Sequence, residues 1–106
     1  MEALLVITNL PDAESARALA VQLVEQRVAA CVNIMSPCHS IFRWEGKVDE
    51  AEEVPLLIKT SASRYAALEE AIRAYHPYEL PEIVAVSIEK GLPGYLAWLA
   101  KETSAQ

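Results

Sequence analysis

Histidine and cysteine are the side chains best suited to a soft or borderline metal ion, and this chain has two of each. His76 opens the stretch HPYELPEI, residues 76–83, with Glu79 and Glu82 behind it and prolines at 77 and 81. An imidazole beside carboxylates could hold a divalent cation or move a proton. One histidine without spaced partners is an incomplete site, however. The prolines also give the stretch a plain structural use. His76 and Leu80 each precede a proline, which drives them out of the helical region, so the segment reads first as a stiff joint between a helix and a strand.

Cys38 and His39 are adjacent, a second tempting pair for copper. In a strand, neighbours point to opposite faces. Both would reach one ion only if Pro37 distorted the chain; a site between subunits would escape this limit, because its ligands could come from different chains. Cys31, in an apolar run, is expected to be a buried small hydrophobe. It has the opposite strand parity to Cys38. The run DEAEE, residues 49–53, is a set of hard oxygen ligands with Asp49 and Glu53 on one face of a strand. Calcium or magnesium could use it, but a solvated acidic face is the expected reading.

Other chemistries are excluded more firmly. Three glycines in 106 residues leave no phosphate-cradling loop. No serine sits in an elbow motif with a histidine partner. The segment TNLPDAES has neither the arginine nor the glycines of an acylphosphatase anion cradle. A non-enzymatic protein is expected. Fifteen acidic residues against nine basic ones give a net charge of −6, which argues against nucleic acid or an anionic membrane as partner. Cys31 and Cys38 form no CxxC motif. No apolar run approaches the roughly 18–20 residues of a membrane span, and MEALLVITN has no basic leader region. A cytoplasmic protein of one domain, 1–106, is expected, with only about the last five residues loose.

The elements that would position these residues follow from periodicity. Residues 3–7 are a continuous apolar run, expected to be a central strand buried on both faces. Asp12 is a good N-cap, and Ala16, Leu19, Ala20, Leu23 and Val24 then recur at helical spacing up to Arg27. Residues 29–44 read as extended, a turn falls at 45–47, and the return arm becomes apolar from 54 to 58. A second helix starts near Ser63, with Tyr65, Leu68, Ile72 and Tyr75 on one face. Residues 83–88 form a last strand, and Tyr95, Leu96, Trp98 and Leu99 mark a short terminal helix. The order β-α-β-β-α-β plus a helix is the split-βαβ, ferredoxin-like arrangement: α+β, an antiparallel sheet with both main helices on one face.

The arm before Gly46 is too long for its domain. About sixteen residues at about 3.3 Å each would reach some 50 Å, against a radius of gyration of about 13 Å for 100 residues. Pro37 predicts a bend and an edge position, and Pro55 a bulge. Ile41, Phe42 and Trp44 near the tip would meet water unless another subunit covered them. Phe42 and Trp44, with Trp98, are therefore the predicted interface residues of an oligomer.

Four segments together, AACVNI (29–34), SIFRWEG (40–46), HPYELPEI (76–83) and YLAWL (95–99), resemble the CutA-type divalent-cation tolerance proteins. The resemblance runs from about residue 4 to 99. It implies a homotrimer in which long bent hairpins extend neighbouring sheets, and a role in tolerance of heavy metals, copper above all. It also implies copper ligands at three positions, a cysteine ending the first strand and two adjacent histidines. Here those positions are Thr8, Tyr75 and His76, and the usual tyrosine of the hairpin is Phe42. Copper or another divalent cation is thus expected to bind only weakly, with His76 as the best single ligand and Cys38 or His39 as further candidates. The alternative expectation is a trimeric signalling module like the nitrogen-regulatory PII proteins, holding a small ligand between subunits.

Overall fold

In the computed structural model, residues 1–104 are described. The elements are β1 (Ala3–Leu10), α1 (Ala13–Glu25), β2 (Cys31–Ile34), β3 (Cys38–Trp44), β4 (Lys47–Ser61), α2 (Tyr65–Tyr75), β5 (Val84–Ile88) and α3 (Pro93–Glu102). The sheet order is β2-β4-β1-β5, with β3 continuing the β2 edge along β4. Every pairing is antiparallel. Counting β2 and β3 as one broken strand, this is the expected ferredoxin-like order.

Local chemistry explains the ends of the elements. The Asp12 carboxylate accepts from the Ser15 amide at 2.7 Å and caps α1. That bond holds the Asp12 carboxyl below its ordinary value. Ala16, Leu19 and Leu23 of α1 and Leu68 and Ile72 of α2 are buried against Val6, Leu10, Val54, Leu56 and Ile58. Both main helices therefore lie on one sheet face. The Thr60 hydroxyl is buried there but donates to the Val28 carbonyl at 2.7 Å, so it carries no desolvation penalty.

The opposite face departs from expectation. Register puts Leu5, Ile7, Leu57, Val84 and Val86 on it. Among the described residues only α3 reaches that side, burying Leu99 against Ala3 and Ala30 at one end. Leu5 and Ile7 are consequently half-buried, and Val84 and Val86 remain 48% and 56% exposed. Within one chain, β1 is covered on one face and not on both.

The long arm breaks where Pro37 predicts. Ile34 pairs with Leu56 and Cys38 with Glu53, so residues 35–37 oppose only residues 54 and 55. That is a β-bulge, which bends the edge strand. The Met35 amide donates to the Pro55 carbonyl at 2.9 Å. The bonding groups of Pro55 therefore face the bulge, and its missing N–H costs no bond with β1. Beyond the bulge, β3 and the first half of β4 run on as a two-stranded arm past the end of β1. Glu45 and Gly46 both have positive φ, 51° and 80°, the two-residue turn that closes a tight hairpin. The arm draws the molecule out to 44 × 25 × 23 Å.

The chain end is pinned where a loose tail was expected. Glu102 ends α3, and Thr103 is buried, its hydroxyl 3.0 Å from that of Ser61. Arg27 does more than close α1. It lies beyond the helix at φ 61° and donates to the carbonyls of Lys101 and Ser104 at 2.8 and 3.1 Å. Residues 105 and 106 of the expected tail lie outside the described residues.

Candidate functional site

Where the arm leaves the body, the loop between α2 and β5 passes beneath it. A cleft of about 810 Å³ opens between them. Its wall is one face of the arm, carrying Ser40, Phe42, Trp44, Asp49 and Glu53. Its floor is the loop from Tyr78 to Glu82, with Asn9 at the end of β1. Cross-strand register explains the wall: Phe42 opposes Asp49 and Cys38 opposes Glu53, and directly opposed residues share a face.

The cleft is acidic. Asp49, Glu50, Glu53, Glu79 and Glu82 line it, with no lysine, arginine or histidine among the described residues. Glu53 contradicts the expected solvated run, since only 8% of it is exposed. The Tyr78 phenol faces it. Burial pushes the Tyr78 hydroxyl above its ordinary value, and the carboxylates of Glu53 and Asp12 add to the shift, so it stays neutral. Asn9 Nδ2 donates to Glu82 at 3.0 Å and ties the floor to β1. The aromatic and acidic walls suit a cation, metallic or organic, and repel phosphate.

Glu53 and Tyr78 were missed because they meet across 25 positions of chain. The available signal was the tight EG turn. It fixes the register of the arm and so sets Phe42, Asp49 and Glu53 on one face.

The predicted metal residues are dispersed. His76 is only 8% exposed. Its Nε2 lies 2.5 Å from the Asn9 carbonyl oxygen, and its Nδ1 lies 3.2 Å from the Tyr78 amide. Cys38 and His39 point to opposite faces of β3, as their parity predicts. Cys38 is exposed, 3.7 Å from the Ser40 hydroxyl. His39 instead crosses to Glu50, with Nε2 and Oε1 2.5 Å apart and both side chains more than half exposed. Glu79 and Glu82 line the cleft floor, and the ring nitrogens of His76 have other partners. The bulge brings Cys31 and Cys38 to one face, but their partners Lys59 and Glu53 are six residues apart on β4, about 20 Å of strand. Cys31 is half-buried rather than fully buried. Among the described residues no group of three or more His, Cys, Asp or Glu side chains could hold a metal ion.

The copper positions implied by the resemblance do not fit copper. Thr8 offers a fully buried hydroxyl with no hydrogen-bond partner among the described residues, a hard, neutral oxygen where a thiolate is needed. Tyr75 offers a phenol in place of an imidazole, and His76 has committed both ring nitrogens.

The predicted interface residues are all accessible on the single chain. Phe42 and Trp44 are each 40% exposed, and Trp98 is 41% exposed beside the Tyr95 ring.

A ferredoxin-like α+β domain with a bent, overhanging hairpin and an acidic cleft at its base is the class these features define. Comparison with known proteins narrows it. The family model "CutA1 divalent ion tolerance protein" matches residues 4–102. The divalent-cation tolerance protein CutA of Thermus thermophilus is 48% identical over 103 residues, 97% of this chain and 99% of that one. Mouse protein CutA is 42% identical over 90% of this chain, which spans 54% of the mouse protein. The crystal structure of CutA1 from Oryza sativa superposes with a TM-score of 0.96 at 37% identity, covering 100% of this chain and 97% of that one. The chain belongs to the CutA1 divalent ion tolerance family.

Proposed function

We propose that this chain, as one domain of residues 1–106, acts without catalysis as a homotrimer in the response to heavy-metal ions. It meets copper weakly, on the arm rather than at the family's implied copper positions. The observation that carries the copper reading is the exposed His39–Glu50 pair. An imidazole nitrogen and a carboxylate oxygen already lie side by side, and copper(II) binds such nitrogen and oxygen donors more tightly than other common divalent ions do. Two ligands from one chain make a weak site, to be completed by water or a second copy. The trimer reading is supported by the uncovered apolar residues of the arm and by Val84 and Val86 on the open sheet face. No helix among the described residues is long and apolar enough to cross a membrane. A cytoplasmic setting agrees with two free thiols, Cys31 and Cys38.

Calorimetric titration of copper(II) into the wild type and His39→Ala tests the copper reading. The variant is expected to lose about tenfold or more in affinity, as befits loss of the main nitrogen ligand. Equal binding by both proteins would exclude the pair.

The cleft supports a second reading, the small-ligand module. Its volume of about 810 Å³ falls in the range of small-molecule sites, roughly 300–1,000 Å³. Its five carboxylates select a cationic ligand and disfavour a nucleotide.

A further inference from the structure

We infer that His76 is a neutral latch that positions the cleft floor and is closed to metal. This rests on the geometry of the ring and not on the proposed copper contact at His39. The Asn9 carbonyl oxygen can only accept a hydrogen bond, so the Nε2 that faces it at 2.5 Å must carry the proton. The Tyr78 amide can only donate, so the Nδ1 that faces it at 3.2 Å must be bare. The two partners together dictate one tautomer. The single lone pair of that neutral ring is spent on the Tyr78 amide. A metal at Nδ1 would displace this bond, and a metal at Nε2 would displace both the proton and the Asn9 bond.

The rest of the residue agrees. Its own amide donates to the Ile72 carbonyl at 2.8 Å and closes the last turn of α2. Pro77 holds the His76 backbone extended, with φ −65° and ψ 134°. The ring lies 4.7 Å from the Tyr78 ring, tilted by 53°, and little of the residue meets solvent. The chain of contacts then continues to the site. His76 sets Tyr78, and the Tyr78 hydroxyl faces the buried Glu53 at the root of the arm. One network therefore joins the end of β1, the loop and β4. His76 is a positioning residue for the cleft.

With only two histidines in the chain, imidazole nitrogen spectroscopy can test this directly. In the ¹⁵N-labelled wild-type protein, His76 is expected to show protonated Nε2 and bare Nδ1. Zinc(II), a diamagnetic imidazole ligand-seeker, should leave that pattern unchanged at one equivalent per chain. A proton on Nδ1, or a zinc-induced shift of either His76 nitrogen, would overturn the latch. In a second arm, copper(II) is titrated into His76→Gln, whose amide can reach Asn9 as a donor. Unchanged affinity supports the latch, and a tenfold loss overturns it. His76→Ala should melt about 5–10 °C lower, as expected for one or two lost hydrogen bonds in a domain of this size, and an unchanged melting temperature would count against the latch. If neither variant folds, the wild-type spectra alone decide.

Discussion

Glu53 is the acid whose environment differs most from its neighbours in the run 49–53. It is buried at the root of the arm, facing the Tyr78 phenol. Removing the polar neighbour of a buried acceptor costs about 1–3 kcal/mol. Tyr78→Phe should therefore lower the free energy of urea unfolding by that order. The same contact has a pH signature. The Tyr78 hydroxyl is raised above its unfolded value of 10.0, so its contribution is fully present below about pH 10 and fades as pH climbs through the raised folded value. Tyr65, raised by burial and by its bond to Glu69, fades in the same direction. Tyr78→Phe should remove one part of the alkaline loss and leave the other. An unfolding free energy that matches wild type at every pH would show that the contact contributes nothing.

Helix α3 depends on few anchors. Leu99 is its one fully buried side chain, and the turn after the helix is held by the Arg27 guanidinium and the Thr103–Ser61 pair. The left-handed backbone at Arg27 aims that side chain across α3, and Arg64 donates to the Arg27 carbonyl at 3.3 Å. In Arg27→Ala, the last amides of α3 should exchange with solvent faster while those of β1 and β4 hold their protection, because local opening is set by local contacts. Uniform acceleration across the sheet would mean that Arg27 supports the whole fold and is no specific clamp on α3.

At the scale of the molecule, the arm and the open face raise one question: what covers them. Phe42 and Trp44 on the arm and Val84 and Val86 on the sheet are all at least 40% exposed. Among the described residues β5 pairs only with β1, and β3 only with β4, so each presents a free edge. Association of copies would remove both liabilities. Sedimentation at low micromolar concentration should give three times the 11.7 kDa chain mass. Central aromatics of interfaces cost about 2 kcal/mol or more when truncated, so Trp44→Ala should shift the population toward monomer with its secondary structure intact. A wild-type monomer, or a variant that assembles as well as wild type, would remove the arm from the interface.

Much of this was legible in the sequence. The period of α1, the break at Pro37, the tight turn at Gly46 and the extended backbone at His76 all follow from the chemistry of one residue and its near neighbours. These local terms act whatever the rest of the chain does. The ferredoxin-like order followed because alternating elements with such short connections leave few ways to bury their apolar faces. Tertiary structure alone decided which groups meet. Glu53 reads as one more solvated acid until Tyr78 arrives from the far side of α2. His76 reads as a metal ligand until Asn9 and the Tyr78 amide take both of its nitrogens. Burial and distant partners are set by distances in space: Tyr78 lies 25 positions from Glu53 and His76 lies 67 from Asn9, separations that carry no local signal, whereas the Tyr78 amide is only two positions from His76.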